Sequence, residues 1–149
     1  MMHRDLFGGN NNNYMITLIM KDLNNNIISR GLLLDTSRHY ADIEEIERIL
    51  EGMEYTKLNV FHWHIVDGIS FPFESETSPD LVKGAFHPEL IYTHKDIRHL
   101  VRYAKERGIM IIPEIDTPGH TSSWNIGYPG TSLESVNYVI NKQNFLSIF

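Results

Sequence analysis

The stretch KLNVFHWHIVD, at residues 57–67, predicts a buried strand that ends in ionisable groups. Because successive side chains of a strand point to opposite faces, His62 and His64 share one face and Trp63 lies on the other. Two imidazoles are unfavourable in a water-free core unless their ring nitrogens form hydrogen bonds. The pattern leaves two interpretations open, a metal site or two histidines hydrogen-bonded to neighbouring carboxylates, and we favour the second. Asp67 ends the strand and is expected to face a site, although a role as an N-cap or a loop anchor is the alternative.

The residues before this strand predict another strand and a helix. Leu32 to Leu34 form a short, continuously apolar run that ends in Asp35, which is typical of a strand covered on both faces. Asp42 is placed to cap the helix that follows. The apolar residues of that helix recur at the spacing of a buried helical stripe, and they are Ile43, Ile46, Ile49, Leu50 and Met53.

The residues after the strand repeat this pattern. A long connection over residues 68–93 predicts a functional or disordered loop. Thr93 and Asp96 are placed to cap the next helix, and Gly108 is placed to end it in a left-handed conformation. A third strand is predicted over residues 109–112. The expected buried stripe of the helix consists of Ile97, Leu100, Val101 and Ala104.

Strands that are joined by crossover helices run parallel, so these units predict an α/β fold. A (β/α)8 barrel and an open, doubly wound sheet both fit the alternation. We favour the barrel, because every predicted strand ends in ionisable side chains, whereas an open sheet concentrates its site at one switch point. These residues are Asp35 and Arg38, then His62, His64 and Asp67, then Glu114, Asp116 and His120.

The end of the third strand offers acid/base chemistry. Glu114 and Asp116 share one face, and a Pro-Gly turn then presents His120. A histidine within reach of Asp67 would be held in one tautomer and made more basic, although an ordinary capped turn is the alternative. Arg38 could donate two hydrogen bonds to the hydroxyls or carboxylate of a ligand, or it could form a surface ion pair.

Composition limits the class of protein. The 149 residues are 42% hydrophobic and contain no cysteine, which allows one domain at most with a real core and excludes a disulfide-stapled miniprotein. A net charge of -6, with scattered basic residues, argues against a nucleic-acid partner. No segment reaches the ~20 apolar residues of a membrane span, and we find no signal peptide.

We divide the chain into an Asn-rich leader, poorly ordered or with one short strand (residues 1–29), a regular part (30–124) and an unassigned tail (125–149).

Three motifs, in this order and at this spacing, resemble the β-N-acetylhexosaminidases of glycoside hydrolase family 20. They are RGLLLDTSRHY at residues 30–40, KLNVFHWHIVD at 57–67 and PEIDTPGHT at 113–121. The resemblance covers about residues 30–124 and is strongest to the lysosomal-type eukaryotic subunits. A lone His-x-His motif would not identify a family, whereas three long motifs together are specific.

The resemblance implies the N-terminal half of the catalytic domain, with about the first three βα units of a (β/α)8 barrel. It implies release of terminal, non-reducing N-acetylhexosamine from a glycan, glycoprotein or glycolipid by a retaining, substrate-assisted mechanism. Arg38 matches the residue that binds the hydroxyls of the sugar, and Asp67 and His120 match an Asp–His pair beside the general acid. No metal and no other cofactor are implied. Supporting roles fall to Asp35, His62, His64, Glu114 and Asp116.

The chain departs from the family pattern in two ways. Gly68 replaces the second acid that usually follows the position of Asp67, and Ile69 stands where a polar residue or proline is common, which changes the hydrogen bonding at the site mouth. The Asp–Glu pair that orients the acetamido group and supplies the general acid is absent, because Glu134 is the one acidic residue after Asp116 and does not match that motif. General acid catalysis contributes ~10²- to 10⁴-fold, so we expect an inactive fragment.

Two other functions remain open at this point. The chain could be a non-catalytic carbohydrate-binding remnant, or a metal-dependent barrel hydrolase that uses His62, His64 and His120. The resemblance implies a lysosomal or extracellular location, although no signal peptide is found. Lysosomal-type relatives form dimers, which we do not expect of this chain.

Overall fold

The computed structural model describes residues 16–21 and 27–131, which form one four-stranded sheet with helices packed on it. The strands follow one another across the sheet in chain order. β1 pairs with β2 in the antiparallel direction, and β2, β3 and β4 run parallel, so the predicted α/β class is confirmed. The strands are β1 (Ile16–Lys21), β2 (Ile27–Asp35), β3 (Val60–Val66) and β4 (Met110–Ile115).

The β1–β2 hairpin lies partly in the segment that composition marks as a leader. β1 falls inside residues 1–29, and β2 begins at Ile27, well before the apolar run that starts at Leu32. β4 extends to Ile115, beyond the predicted end of the third strand. The remainder of the leader and the tail from residue 132 onward lie outside the described residues.

The helices begin and end where capping residues predict. Asp42 accepts a hydrogen bond from the backbone N–H of Glu45 at 2.7 Å, and Thr93 with Asp96 forms a reciprocal capping box. Gly108 follows with a φ of 69°, the left-handed conformation predicted for it. No helix in the described part of the chain has the length and apolar character needed to cross a membrane. The helical segments there are α1 (Ile43–Tyr55), a 3-10 helix (Pro79–Gly84), α2 (His94–Glu106) and α3 (Trp124–Gly127).

The core lies between one face of the sheet and the inner sides of α1 and α2. Trp63 is fully buried there, donates its indole N–H to the Thr36 hydroxyl at 2.7 Å and packs edge-on against Tyr92. The predicted burial of Val101 is wrong, because a 100° helical step from Leu100 turns it out of the stripe, where it is 47% exposed. The other core residues of these elements include Leu32, Leu34, Phe61, Ile65, Ile46, Leu50, Met53 and Ala104.

The connection between β3 and α2, residues 68–93, is part of the core. Phe71, Leu81 and Tyr92 from this segment are at most 1% exposed. The Tyr92 hydroxyl donates to the carbonyl oxygen of Ala41 at 2.6 Å, so the end of the connection is fixed to the start of α1.

Two glycines allow the 3-10 helix and α3 to pack closely. A Cβ atom on Gly127 would lie 2.0 Å from the carbonyl oxygen of Asp80, and one on Gly84 would lie 2.4 Å from that of Ser123. Both distances are far below van der Waals contact, so only glycine fits either position. This contact fixes α3, and the turn before it, against the connection.

The register of the parallel strands aligns the polar groups. Asp35 of β2, His64 of β3 and Glu114 of β4 are direct neighbours across the sheet. They lie at the carboxyl ends of their strands, and in parallel α/β folds that edge is where ligands bind. The face they occupy is opposite to the face that Trp63 and the helices cover.

Candidate functional site

Arg38 lies just after β2 and is held by two carboxylates. Its guanidinium donates a hydrogen bond to Asp35 and forms an ion pair with Asp67 at 2.9 Å. The hydrogen bond to Asp35 raises the pKa of Arg38 above its ordinary value, so the group stays cationic. The side chain is 35% exposed, and a guanidinium has five N–H donors, so Arg38 retains donors for a ligand.

Asp67 is the carboxylate on which the site converges. It is 3% exposed. Its Oδ2 atom lies 2.9 Å from Arg38, 2.8 Å from His64 Nε2 and 3.2 Å from His120 Nδ1. Its Oδ1 accepts a hydrogen bond from the backbone N–H of Gly68 at 2.6 Å. A buried carboxylate is costly unless it is paired, and these contacts supply the pairing.

His64 joins Asp67 to Glu114. Its Nε2 lies 2.8 Å from Asp67 Oδ2, and its Nδ1 lies 3.1 Å from Glu114 Oε1. Burial by itself lowers the pKa of His64, but hydrogen bonds to the two carboxylates outweigh that effect and leave the pKa raised. The second oxygen of Glu114 lies 2.5 Å from His62 Nε2. Both histidines are therefore bonded to carboxylates, as the second interpretation of the His-x-His pattern expects.

His120 reaches the site from the turn after β4. Its φ is 60°, in the left-handed region that residues other than glycine rarely adopt. This backbone conformation presents Nδ1 at 2.7 Å from Asp116 and at 3.2 Å from Asp67. The side chain is 54% exposed, so the imidazole stands at the mouth of the site.

Two buried serines that the sequence patterns did not single out hold the turn after β3. Ser37 donates its hydroxyl hydrogen bond to the carbonyl oxygen of Ser70 at 2.8 Å. Ser123 donates to the carbonyl oxygen of Asp67 at 2.6 Å. Ser37 lies within the motif at residues 30–40 but had no assigned role, and Ser123 lies outside the three motifs. Each serine finds its partner only when distant parts of the chain come together.

The structure brings the predicted site residues together in one cluster. His120 is 54% exposed, whereas the side chains of Arg38 and Glu114 are about equally exposed, at 35% and 34%. Ile69 is 55% exposed on the turn after Asp67, so it contributes an apolar side chain near the mouth. The full set consists of Asp35, Arg38, His62, His64, Asp67, Glu114, Asp116 and His120.

This cluster suits a polyhydroxylated ligand. Arg38 offers a charged donor, and the exposed His120 offers an imidazole that Asp67 and Asp116 orient. Charge-assisted hydrogen bonds of this kind are roughly twice as strong as neutral ones. The carboxylate–imidazole pairs can also exchange protons with a neighbouring acid, which general acid catalysis requires.

Three donor atoms, from His64, Asp67 and Asp116, lie within 4.8 Å of one another, which is close enough to surround a metal ion. The hydrogen bonding argues against that use. Both ring nitrogens of His64 already face carboxylates, and the shared oxygen of Asp67 is paired with the Arg38 guanidinium. A metal ion would have to compete with a permanent cation, so the donor set fits a hydrogen-bonded network better than a metal centre.

Comparison with known proteins identifies the family. The sequence profile of "Glycosyl hydrolase family 20, catalytic domain" matches residues 29–146, which is most of the chain. The chain belongs to glycoside hydrolase family 20. The family that the three motifs predict is therefore confirmed.

Curated relatives in this family are β-hexosaminidases. The chain is 54% identical over 103 residues to β-hexosaminidase subunit alpha of Rattus norvegicus and 55% identical over 100 residues to β-hexosaminidase 1 of Arabidopsis thaliana. The alignments cover 68% and 67% of this chain but 20% and 18% of those relatives. The chain thus spans about a fifth of the length of the curated relatives it matches.

Solved structures of the family share this arrangement. The chitobiase of Flavobacterium johnsoniae matches 68% of the chain with a TM-score of 0.64 and 46% identity, over 15% of its own length. A family 20 exo-β-N-acetylglucosaminidase from Vibrio harveyi, in complex with N-acetylglucosamine, matches 75% of the chain with a TM-score of 0.63 and 28% identity, over 22% of its own length. The sheet and helices described above therefore correspond to part of a larger family fold.

Proposed function

We propose that this chain forms the sugar-binding part of a β-N-acetylhexosaminidase catalytic domain. Its parallel strands and their helices form, in this proposal, about the first three βα units of a (β/α)8 barrel. Two features support the barrel: helices cover one face of the sheet, and the site residues lie on the other face at the carboxyl ends of the strands.

The observation that carries this proposal is the group formed by Arg38, Asp67 and His120. In this proposal Arg38 donates hydrogen bonds to hydroxyls of the terminal sugar. Asp67 fixes the guanidinium at 2.9 Å and the imidazole at 3.2 Å, so both face one space at the edge of the sheet. His120, oriented in addition by Asp116, sets the protonation of an adjacent general acid.

The proposed reaction releases terminal, non-reducing N-acetylhexosamine from a glycan, glycoprotein or glycolipid with retention of configuration. In substrate-assisted hydrolysis the acetamido oxygen of the substrate attacks the anomeric carbon, so the protein orients the substrate and protonates the leaving oxygen. The 149 residues contain no Asp–Glu dipeptide to perform those two tasks. We therefore propose that these residues on their own bind the sugar without hydrolysing it.

Titration of the purified chain with N-acetylglucosamine, followed by NMR chemical shifts, tests the binding. We expect saturable binding that is at least about tenfold weaker in Arg38→Ala, because a lost charged hydrogen bond costs ~1.5–3 kcal/mol. The matched control is Arg48→Ala, whose side chain is 65% exposed on α1, and it should bind like the unmodified chain. Equal weakening in both variants, or no saturable binding by folded protein, contradicts the proposal.

A chromogenic N-acetylglucosaminide tests the absence of turnover. We expect no hydrolysis above the rate in buffer. Hydrolysis that disappears in Glu134→Gln would show that this glutamate acts as the general acid. That result would contradict the proposal that the chain binds the sugar without hydrolysing it.

A further inference from the structure

The two contacts of His64 indicate that both of its ring nitrogens carry a proton, although an isolated histidine is mostly neutral at neutral pH. An ionised carboxylate only accepts hydrogen bonds, and a neutral imidazole has a single N–H donor. His64 nevertheless places Nε2 at 2.8 Å from Asp67 and Nδ1 at 3.1 Å from Glu114. With a neutral ring, one nitrogen lone pair would point at a carboxylate oxygen, which is repulsive.

We propose that His64 is a positioning residue that stays doubly protonated at neutral pH and binds Asp67 and Glu114 at once. It thereby holds the carboxylate that directly follows β3 and a carboxylate of β4 in one hydrogen-bonded unit next to the sugar site. The inference rests on the proposed function for the identity of that site.

The charges around His64 favour this state. Two carboxylates contact it directly, Asp35 lies beside it in the register, and Asp116 adds a fourth negative group through His120. Arg38 is the permanent cation in the cluster and cannot by itself balance the charge of four carboxylates. A protonated His64 supplies a second positive charge. The raised pKa of His64 agrees with this balance. The groups that face the ring from its neighbouring elements are Asp35, Arg38, His62, Asp67, Glu114, Asp116 and His120.

A cationic His64 has a consequence for the sugar-binding group. Asp67 is held in place because a cationic His64 contacts its Oδ2 atom, which Arg38 and His120 also contact. The carboxylate is therefore held in one orientation whether or not a ligand is present. Preorganisation of this kind lowers the entropic cost of binding.

Long-range ¹H–¹⁵N NMR on histidine-labelled protein tests the proposal without any sugar. We expect both ring nitrogens of His64 to show the shifts of protonated nitrogen at about pH 7.5, one unit above the ordinary pKa of histidine. The variant Glu114→Gln keeps an acceptor oxygen but removes one charge, so His64 should lose its second proton at a pH lower by about half a unit or more. The matched control is Glu89→Gln, because Glu89 lies beside the exposed His87.

Three results would overturn the proposal. One is a ring nitrogen of His64 without a proton at about pH 7.5 in the unmodified protein. The second is a titration of His64 that does not change in Glu114→Gln, and the third is an equal change in Glu89→Gln. The first result is measured on the unmodified protein, so it tests the proposal even if a variant does not fold. A failure of N-acetylglucosamine to bind counts against the proposed function and leaves these results unaffected.

Discussion

At the residue scale, Asp67 shows how one buried oxygen organises a site. The variant Asp67→Asn keeps the shape of the side chain but removes the charge that Arg38 and His64 share. We expect the free energy of unfolding to fall by about 1–3 kcal/mol, because Arg38 and His64 lose their charged acceptor. Urea denaturation measures the change. The control Asp80→Asn removes an exposed pair with Lys83 and should stay within about 0.5 kcal/mol, so equal losses would contradict the role of Asp67.

His64 couples stability to pH. Its folded-state pKa lies above the unfolded value of about 6.5, so its stabilising contribution is complete below that pH. The contribution is lost as the pH rises through the folded-state pKa. We therefore expect His64→Gln to cost more stability at about pH 5.5 than at about pH 8.5 in urea denaturation. The exposed His87 supplies the control variant His87→Gln, and a loss from His64→Gln that is equal at both pH values would refute the prediction.

The hydroxyl of Tyr92 is a second residue on which the fold depends. It donates to the carbonyl oxygen of Ala41 at 2.6 Å and accepts from the Ala41 N–H at 3.3 Å. The variant Tyr92→Phe leaves both buried backbone groups without this partner, so we expect a loss of about 1–3 kcal/mol in thermal or urea unfolding. Tyr55→Phe is the control, because Tyr55 is 88% exposed, and it should be nearly neutral.

Residue identities in the site were more predictable than atom pairings. Alternation along β3 indicated that His62 and His64 share a face, and the common edge of parallel strands indicated that Glu114 lies at the same edge. The sequence could not show that Glu114 bridges both rings. His64 and Glu114 are direct neighbours in the register of β3 and β4, whereas His62 is opposite Ile112. The contact between His62 and Glu114 therefore depends on how far their side chains extend, which the register does not fix.

At the scale of elements, the contact between the 3-10 helix and α3 depends on glycine. Gly127→Ala and Gly84→Ala would each place a Cβ atom within 2.4 Å of a backbone oxygen, so we expect each to destabilise the protein by several kcal/mol. Gly52→Ala lies in α1, where the new Cβ would meet open space outside its own helix, and it should stabilise by up to ~1 kcal/mol. Thermal unfolding of the three variants measures both signs. A destabilised Gly52→Ala, or a neutral Gly127→Ala, would contradict the packing described.

Elements that are marked by residues close together in the sequence were predicted, and elements that depend on distant residues were not. The caps of α1 and α2 depend on residues three positions apart, so the sequence alone reveals them. The segment 68–93 appeared to be a functional or disordered loop, because its buried residues are too far apart to form a period. Its core contacts arise from partners distant in the chain, such as Trp124 against Phe71. One short strand was an alternative for residues 1–29, but its pairing with β2 and the start of β2 at Ile27 were not predicted, because asparagines surround these residues.

At the scale of the whole molecule, the sheet of the described residues ends at β4. Met110 and Ile112 of this strand are 57% and 43% exposed, and both lie on the face opposite to the helices. Exposed apolar residues on an end strand promote pairing between chains. We expect the apparent molar mass of the purified chain from light scattering to rise with concentration, and Met110→Lys to reduce that rise.

A matched variant separates this effect from added charge. Tyr55→Lys also adds a positive charge to the surface, but Tyr55 lies at the end of α1. It should leave the concentration dependence of scattering unchanged. An equal reduction in both variants would mean that charge, and not the β4 surface, controls association.

The placement of the two tryptophans gives the protein an intrinsic fluorescence reporter. Trp63 and Trp124 are the only tryptophans in the chain, and both are at most 2% exposed. Trp63 is bonded to Thr36, two residues before Arg38, and Trp124 follows Ser123, which holds the backbone of Asp67. Their emission should shift to longer wavelength when either side of the site opens to water. Unfolding, ligand binding and the effects of the variants above can therefore be followed by emission spectra of the unlabelled chain.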